Sequence, residues 1–322
     1  MVRPLKNLWK NYKYRFVPWI SLNIIRDERK RQRLLKLGEK TTNEAIKQNQ
    51  SVRIDHIMKD GVLLSSREIR STLTEYCGKL SYQKHPKYTV EDIHKKNASI
   101  FFEHFGFLLG RKKSHIVPEG LGVFVIDGTV NAGSIVGLYP GTVYMPNEPL
   151  FFPSLGNTFI FRCSDNVHVD GNDRWISKSI FRSCAVRDQF NFDVPCCDST
   201  WMTQYPQNLL NIGQYVNNRS TSCDNNVVYQ ECNIFLTDAN HLRPKDVTED
   251  ECFPVKFARF IPNVWSNPEN NSRYSLRIIP LVALDDIATG SELLSSYFTV
   301  IHEKSAVDQT KSSERNNEKM ME

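Results

Sequence analysis

Three short segments of the sequence combine residue types that suit the binding of a small organic ligand. The first is Gly120-Leu121-Gly122, which stands directly before the apolar run 123–126. Glycines on both sides of one residue let the backbone approach a ligand closely, because neither carries a Cβ atom. The same pattern also forms ordinary tight turns, so it indicates a ligand site only in combination with other segments.

The second segment is Gln214-Tyr215-Val216-Asn217-Asn218, and the third runs from Ala283 to Phe298. Paired asparagines near a strand end are common turn formers, since their side chains cap backbone groups and tolerate the left-handed conformation. The third segment predicts a strand, a turn at Thr289-Gly290 and a second strand that contains Tyr297. Each segment taken alone therefore has an ordinary structural interpretation.

Taken together and in this order, the segments resemble the motifs of the SET family of lysine methyltransferases. That family has a G-x-G near its start, an R-F-I-N-H-S-C segment later, and A-x-x-D-I-x-x-G-E-E-L-x-x-x-Y close to its end. Here Gly120-Leu121-Gly122 matches the first motif, 214–217 the beginning of the second, and 283–297 the third. Tyr139, which precedes Pro140-Gly141, is similar to the family's early Y-x-G. The resemblance spans about residues 118–298.

The resemblance implies a mainly β fold, the β-clip SET domain of small sheets, in which the C-terminal segment threads past an earlier loop as a pseudoknot. It also implies S-adenosyl-L-methionine as the cofactor and a lysine side chain of a protein substrate as the methyl acceptor, with no metal required. Tyr297 would line the lysine channel as the first catalytic candidate, and Tyr139 is the second. Carried over by motif, the cofactor-binding residues are Gly120, Leu121, Gly122, Asn217, Asn218 and Tyr297.

The sequence also departs from the family pattern. Asn218 stands where the family has histidine, Gln214 replaces the arginine, and Ser291 replaces the first glutamate of G-E-E-L. The S-C pair is displaced to Ser222-Cys223, and no cysteine follows Cys252, so the zinc-binding cluster of some relatives is absent. These departures leave a second interpretation open: a catalytically inactive SET-fold module that binds the cofactor, a peptide or a partner protein.

The elements that must position these motifs are predicted to be short strands after an N-terminal helical region. From Ile116 onward, β-branched and aromatic runs alternate with Gly, Pro and Asn, which indicates small sheets and loops. Before Tyr88, apolar residues at helical spacing predict two or three helices. The runs that predict strands are 123–126, 134–138, 158–161, 227–235, 257–260 and 276–284. The predicted regions are a basic aromatic segment 1–40, a helical region 41–115, a SET domain 116–300 and a disordered polar tail 301–322.

The net charge of +5 is distributed unevenly along the chain. Residues 1–40 hold twelve Lys and Arg against three Asp and Glu, a net charge of +9, so the remaining residues carry −4. Aromatic residues are interleaved with these cations. The segment fits a basic helix packed on the protein, a contact with nucleic acid or another anionic surface, or a mitochondrial transit peptide. The negative remainder argues against phosphate binding across the whole molecule.

The cysteines and the hydropathy pattern bear on the compartment. The eight cysteines contain no C-x-x-C pair, and a chain of 322 residues does not need a disulfide framework, so we expect reduced thiols. Sequons occur at Asn97, Asn218 and Asn270, but no signal-peptide pattern accompanies them. No apolar run reaches the ~18 residues of a membrane span. We expect an intracellular protein of the nucleus or cytoplasm, with the mitochondrion as the alternative.

Overall fold

The computed structural model describes residues 63–82, 88–117, 120–192, 197–219, 224–237, 252–267, 275–296 and 300–302. Several predictions fall outside these ranges. They are the basic segment 1–40, the helices expected before residue 63, the tail beyond His302, the displaced Ser222-Cys223 pair, and Tyr297.

Two helices precede the sheets: α1 (Ser66–Lys79) and α2 (Val90–Phe105). α1 begins at a capping box, in which the Ser65 hydroxyl accepts from the backbone N–H of Glu68 and the Glu68 carboxylate accepts from the N–H of Ser65. α2 begins at an equivalent box. These boxes satisfy two backbone donors that would otherwise lack partners at the start of a helix. α1 agrees with the helical content predicted before Tyr88.

The first strand, β1 (Phe107–Lys113), follows α2 directly. Gly106 ends the helix there with a left-handed φ of 76°, a conformation that glycine adopts without steric cost. β1 pairs antiparallel with β2 (Leu121–Gly128), so that Lys113 lies opposite Leu121. Residues 107–113, which the sequence analysis includes in the helical region, therefore form a strand that pairs with the predicted SET domain.

The further strands that the structure describes are β3 (Ile135–Leu138), β4 (Gly141–Tyr144), β5 (Ile160–Arg162), β6 (His168–Asp170), β7 (Asn217–Asn218), β8 (Val227–Thr237), β9 (Cys252–Pro254), β10 (Asn263–Trp265), β11 (Ser275–Ile278), β12 (Pro280–Ala283), β13 (Leu294–Ser295) and β14 (Val300–His302). Five of these twelve strands, β3, β5, β8, β11 and β12, coincide with predicted apolar runs. One sheet has the strand order β10-β4-β6-β5. A larger sheet has the order β11-β8-β12-β3, with β9 and β14 also paired to β8, and β13 pairs with β7.

The C-terminal segment lies between two earlier parts of the chain. On one side, the N–H of Leu293 donates to the carbonyl of Val123 in β2 at 2.8 Å. On the other side, β13 pairs in parallel with β7, and the N–H of Asn226 donates to the carbonyl of Leu294 at 2.9 Å. The mainly β fold of small sheets is thus confirmed, with the C-terminal segment threaded past an earlier loop. β14 includes residues 301 and 302, which the sequence analysis assigns to the polar tail.

Two regions differ from the predicted strands and loops. α3 (Phe151–Ser154) and α4 (Trp175–Phe192) are helices, and α4 is the longest helix among the described residues. α4 packs Phe181 and Cys184 against Trp201 and Val264, so tertiary packing stabilises a helix whose short polar side chains gave little periodic signal.

Residues 255–260 form a 3-10 helix in place of the strand predicted at 257–260. Phe257 and Phe260 are three residues apart, and this spacing places them on one face of a 3-10 turn.

The main core lies between the large sheet and the helices that cover it. Buried apolar residues of α1 and α2 belong to the same cluster as those of β2, β3, β8 and β12, including Tyr76, Phe101, Val123, Leu138 and Tyr229. Within the described part of the chain, no helix combines the length and apolar character needed to cross a membrane.

Candidate functional site

The first motif lies on the hairpin formed by β1 and β2. The N–H of Ser114 donates to the carbonyl of Gly120 at 2.9 Å, which closes the connection between the two strands. Leu121 is 43% exposed at the start of β2, whereas Val123 is fully buried in the core. Leu121 therefore lies at a surface edge, and the buried Gly122 joins it to the core part of β2.

The second motif lies on a 3-10 helix, Gly213–Tyr215, and on β7, which follows this helix. The side chains of Asn217 and Asn218 are half-buried. β7 is held by the third motif, because Leu294 pairs with Asn217, Ser295 pairs with Asn218, and the N–H of Arg219 donates to the carbonyl of Ser295 at 2.8 Å.

The three motifs meet at the side chain of Glu292, which is buried. Its Oε1 accepts from the Ser114 hydroxyl at 2.7 Å and from the Asn217 amide at 3.0 Å, and its Oε2 accepts from the N–H of His115 at 3.0 Å. The Asn217 amide also donates to the carbonyl of Leu121 at 2.9 Å. We call this cluster of Ser114, His115, Asn217 and Glu292 the Glu292 junction. It joins the β1–β2 hairpin, β7 and the C-terminal segment.

The Ser114 hydroxyl is oriented by its own partners. It accepts from the N–H groups of Ile116 and Val117 at 3.0 and 3.1 Å, which leaves its proton directed to Glu292. A hydroxyl has one donor and two acceptor positions, so all three are used here. The sequence analysis did not identify Ser114, because a lone serine after a strand carries no motif signal.

Gly122 lies directly against the junction. A Cβ atom at this position would be 2.2 Å from Glu292 Oε1 and 3.3 Å from Asn217 Nδ2. The first distance is well below any normal contact, so a side chain here would displace the carboxylate. The structure thus provides an internal reason for the second glycine of G-x-G, in addition to the close ligand approach predicted from the sequence.

Asn226 fixes the C-terminal segment from the opposite side. Its Oδ1 accepts from the N–H of Leu294 at 2.8 Å and its Nδ2 donates to the carbonyl of Glu292 at 3.0 Å. Its backbone carbonyl accepts from the N–H of Leu284 at 2.8 Å. Asn226 therefore holds the backbone that carries Glu292. It precedes β8 without a recognisable motif, and the sequence analysis did not select it.

Tyr139, the second catalytic candidate, lies immediately after β3 and is buried. Its hydroxyl donates to the carbonyl of Phe159 at 2.8 Å, and its ring centroid lies 5.2 Å from that of Phe161 and 6.0 Å from that of Tyr229. These contacts place it beside β5 and β8, whereas Gly122 and Asn217 meet at the Glu292 junction. Tyr297 lies outside the described residues. The next described residue is Val300, which pairs with Tyr229.

Tyr215 connects the second motif to two other elements. Its hydroxyl donates to Asp173 Oδ2 at 2.6 Å, just before α4, and the guanidinium of Arg111 on β1 lies 5.1 Å from its ring centroid. Burial, followed by the hydrogen bond to Asp173, raises the pKa of Tyr215 to about 12. Tyr215 therefore remains a neutral donor at physiological pH and fixes the approach to β7.

One group of potential metal ligands occurs among the described residues. Cys163, Asp165 and Glu231 place ligand atoms within 4.8 Å of one another. Arg277 lies in the same place and donates to Asp165 at 2.6 Å and to Glu231 at 3.4 Å. A guanidinium cation thus pairs with both carboxylates and offsets one of their two negative charges, and burial raises the pKa of the Cys163 thiol to about 12. The group is a partly buried ion-pair network that joins β8 and β11.

A mainly β chain whose G-x-G hairpin, asparagine strand and C-terminal acidic segment converge has the arrangement that defines SET-domain proteins. Sequence comparison with known proteins supports this class. The chain is 35% identical over 314 residues to SET domain-containing protein 9 of Homo sapiens, covering 94% of this chain and 98% of the relative. It is 41% identical over 206 residues to the protein of the same name from Pongo abelii, covering 64% of this chain and 69% of the relative. The chain belongs to the family of SET domain-containing protein 9.

Two further comparisons complete this result. No protein-family model matches the chain. A crystal structure of CpSET8 from Cryptosporidium is 13% identical to it, with a TM-score of 0.28 over 80% of this chain and 95% of that chain.

Proposed function

We propose that the chain is an S-adenosyl-L-methionine-dependent methyltransferase that transfers a methyl group to a lysine side chain of another protein. The observation that carries this proposal is the Glu292 junction. Ser114 and Glu292 are 178 positions apart in the sequence, and Asn217 and Glu292 are 75 apart. All three motifs by which the chain resembles methyltransferases thus contribute to one place, which favours a common role in binding the cofactor.

The residues at the junction suit this cofactor chemically. The bonds described for the Glu292 carboxylate come from neutral donors, so they do not cancel its negative charge. A buried carboxylate attracts a ligand that carries ammonium and sulfonium groups, and the attraction is stronger than in water because the local dielectric constant is lower. Gly120, Leu121 and Gly122 would hold the cofactor through their backbone. Asn217 would use its amide oxygen, because both of its amide N–H groups donate within the junction, and Asn218 would use its backbone. When bound, S-adenosyl-L-methionine supplies an electrophilic methyl group on a positively charged sulfur.

The acceptor lysine must be neutral, because an ammonium group has no lone pair to attack the methyl carbon. A free lysine has a pKa of ~10.4, so the site must favour loss of the proton. Desolvation and a nearby positive charge both favour the neutral amine. We assign Tyr297 and Tyr139 to orient this amine. The Tyr139 hydroxyl donates to Phe159, and a phenolic oxygen can accept a further hydrogen bond from an amine N–H. The remaining contribution is alignment, worth up to roughly 7–11 kcal/mol of the barrier.

Calorimetric titration of the full chain with S-adenosyl-L-methionine tests the proposal, together with transfer of labelled methyl groups in a whole-cell protein extract. We expect cofactor binding and label on protein lysine. Binding without transfer would support the inactive module in place of the enzyme. Absence of binding by a folded sample would refute the cofactor site.

A further inference from the structure

An apolar surface is formed by α3 and the start of α4, which pack against each other. Asn157 helps to join them, since its Nδ2 donates to the carbonyl of Pro153 at 2.9 Å and lies 3.4 Å from Ser177 Oγ. The rings of Phe151 and Phe152 contact each other edge to face, with centroids 5.4 Å apart. We define the α3–α4 patch as the exposed side chains of Phe151, Phe152, Leu155, Trp175 and Ile176.

Exposed apolar side chains are concentrated in this part of the molecule. Ten large apolar residues among the described ones are exposed, and six of them are the five patch residues and Val186 on the same helix. Trp175 is 86% exposed and Phe152 is 66% exposed. Single exposed apolar residues are ordinary, but a contiguous apolar surface indicates a site of interaction with another molecule.

The backbone at Trp175 provides a second, independent indication. Trp175 has a φ of 56°, in the left-handed region that favours glycine. For other residues this conformation costs roughly 1–2 kcal/mol, and a bulky residue there is a genuine outlier. The exposed indole gains little packing within the chain to offset this cost. Strain of this kind is concentrated at functional sites, so it marks Trp175 as a candidate for contact with another molecule.

The charges on α4 restrict what that contact can be. Cationic side chains lie at Arg174, just before the helix, and at Lys178 and Arg182 on it. The acids nearby already have partners: Asp173 accepts from Tyr215 at 2.6 Å and lies 3.6 Å from Arg174, and Asp188 accepts from Arg187 at 2.6 Å. Trp175, Arg182 and Val186 are exposed at helical spacing, so they form one stripe about 16 Å long. The stripe has an apolar residue at each end and a cation between them.

We propose that the α3–α4 patch and the adjoining stripe of α4 bind a segment of a partner protein that carries apolar side chains flanked by Asp or Glu. Apolar side chains of the segment would cover Trp175 and Phe152, and a carboxylate would pair with Arg182 in a charge-assisted hydrogen bond. The chain's own segment 1–40, with its net charge of +9, is excluded as the occupant because like charges repel. The proposal does not depend on methyl transfer.

The position of Arg182 on the stripe argues against a lipid bilayer as the binding partner. Arg182 lies between Trp175 and Val186 on the stripe, so inserting both apolar ends into a bilayer would also immerse the guanidinium. Charged groups below the headgroup level cost several kcal/mol, roughly 3 or more at the centre. A protein segment can place an acid opposite the cation, which a hydrocarbon layer cannot do.

Selection from a displayed library of random lysine-free peptides tests the proposal on the full chain. Peptides of about ten residues span the stripe in an extended form. Because the peptides contain no lysine, they cannot be methyl acceptors. Any binding that is measured is therefore independent of the proposed methyl transfer. We expect enrichment of peptides with apolar residues and an excess of Asp and Glu. Their affinities are then measured by fluorescence anisotropy.

The variants Trp175→Ala and Arg182→Glu should each weaken the selected peptides roughly ten-fold, as expected for central anchors of an interface. The matched controls Phe102→Ala and Lys96→Glu, both exposed on α2, should leave the affinity unchanged. Trp175→Gly should weaken binding equally while relieving the left-handed strain, so a melting temperature at or above that of the native chain excludes misfolding as the cause.

Three results would overturn the proposal. The first is that no peptide is enriched, and the second is that the selected peptides lack acidic residues or bind the variants as well as the native chain. The third is that vesicles of phosphatidylcholine and phosphatidylserine bind in a Trp175-dependent way while the peptides do not. That last result would assign the patch to a membrane surface instead.

Discussion

The side-chain amide of Asn217 bridges the carbonyl of Leu121 and the carboxylate of Glu292, at 2.9 and 3.0 Å. One amide group thus joins the hairpin of the first motif to the C-terminal segment of the third. The amide nitrogen has two N–H donors, and both are used in these bonds. The position of Asn217 is therefore fixed before any ligand arrives, which is how a binding site avoids the entropic cost of ordering its own side chains.

Asn217→Ala should weaken binding of S-adenosyl-L-methionine and should lower stability by about 1–3 kcal/mol, because Leu121 and the buried carboxylate each lose a donor. Calorimetry and denaturant unfolding measure the two effects. Asn147→Ala is the matched control, since Asn147 is exposed between β4 and α3. Unchanged cofactor affinity in a folded Asn217→Ala protein would remove Asn217 from the cofactor site.

Gly122→Ala tests the close approach of the carboxylate. The added Cβ would lie 2.2 Å from Glu292 Oε1, so the junction must move, and we expect a loss of about 1–3 kcal/mol together with weaker cofactor binding. Gly78→Ala is the control. A Cβ there would meet the Phe257 ring at an ordinary 3.4 Å, and alanine suits the α1 helix better than glycine, so stability should rise by up to about 1 kcal/mol. Equal effects of the two variants would contradict the role given to Gly122.

Glu292→Gln tests whether the buried charge attracts the cofactor. We expect S-adenosyl-L-methionine to lose more affinity than S-adenosylhomocysteine, whose sulfur is neutral, by roughly five-fold. The comparison of two ligands on one variant cancels any general distortion of the junction. An equal loss for both ligands would show that Glu292 acts through geometry alone.

Two tyrosine variants separate catalysis from packing. Tyr297→Phe should slow methyl transfer and leave cofactor affinity nearly unchanged, because the phenolic hydroxyl is assigned to the amine. Tyr139→Phe should also lower stability by about 1 kcal/mol, since the carbonyl of Phe159 loses the donor at 2.8 Å. Transfer rates and unfolding free energies of both variants provide the measurement. Loss of cofactor affinity in Tyr297→Phe, with transfer intact at saturating cofactor, would reverse this assignment.

The sequence predicts those features of the site that recur as ordered motifs. Gly122, Asn217 and the 283–296 segment could be selected before the structure was known because, taken together and in order, their motifs resemble those of the SET family, although each alone has an ordinary structural interpretation. Asn226 and Ser114 could not be selected. Their roles depend on hydrogen bonds to Leu294 and Glu292, which are 68 and 178 positions away, and no local pattern encodes such a distance.

The same reason explains the errors in the fold. α4 was not predicted because its apolar and polar residues show little helical periodicity, and the packing of Phe181 and Cys184 against Trp201 and Val264 joins distant parts of the chain. The strand β1 was assigned to the helical region because the hydropathy pattern does not show which segments pair, and so its pairing with β2 could not be predicted. Short apolar runs such as 257–260 fit a strand or a turn equally well until their neighbours are known.

His168 on β6 should contribute to loss of stability in acid. Burial, followed by the charge of Arg162, lowers its pKa from 6.5 to about 4, while Asp165 opposes this shift. The unfolded chain therefore binds this proton more readily than the folded chain, so stability is retained above pH 6.5 and falls as the pH decreases toward about 4. We expect His168→Gln to flatten the dependence of unfolding free energy on pH within this window. Parallel curves for the native chain and the variant would contradict the prediction, as would an NMR titration of His168 with an unshifted midpoint.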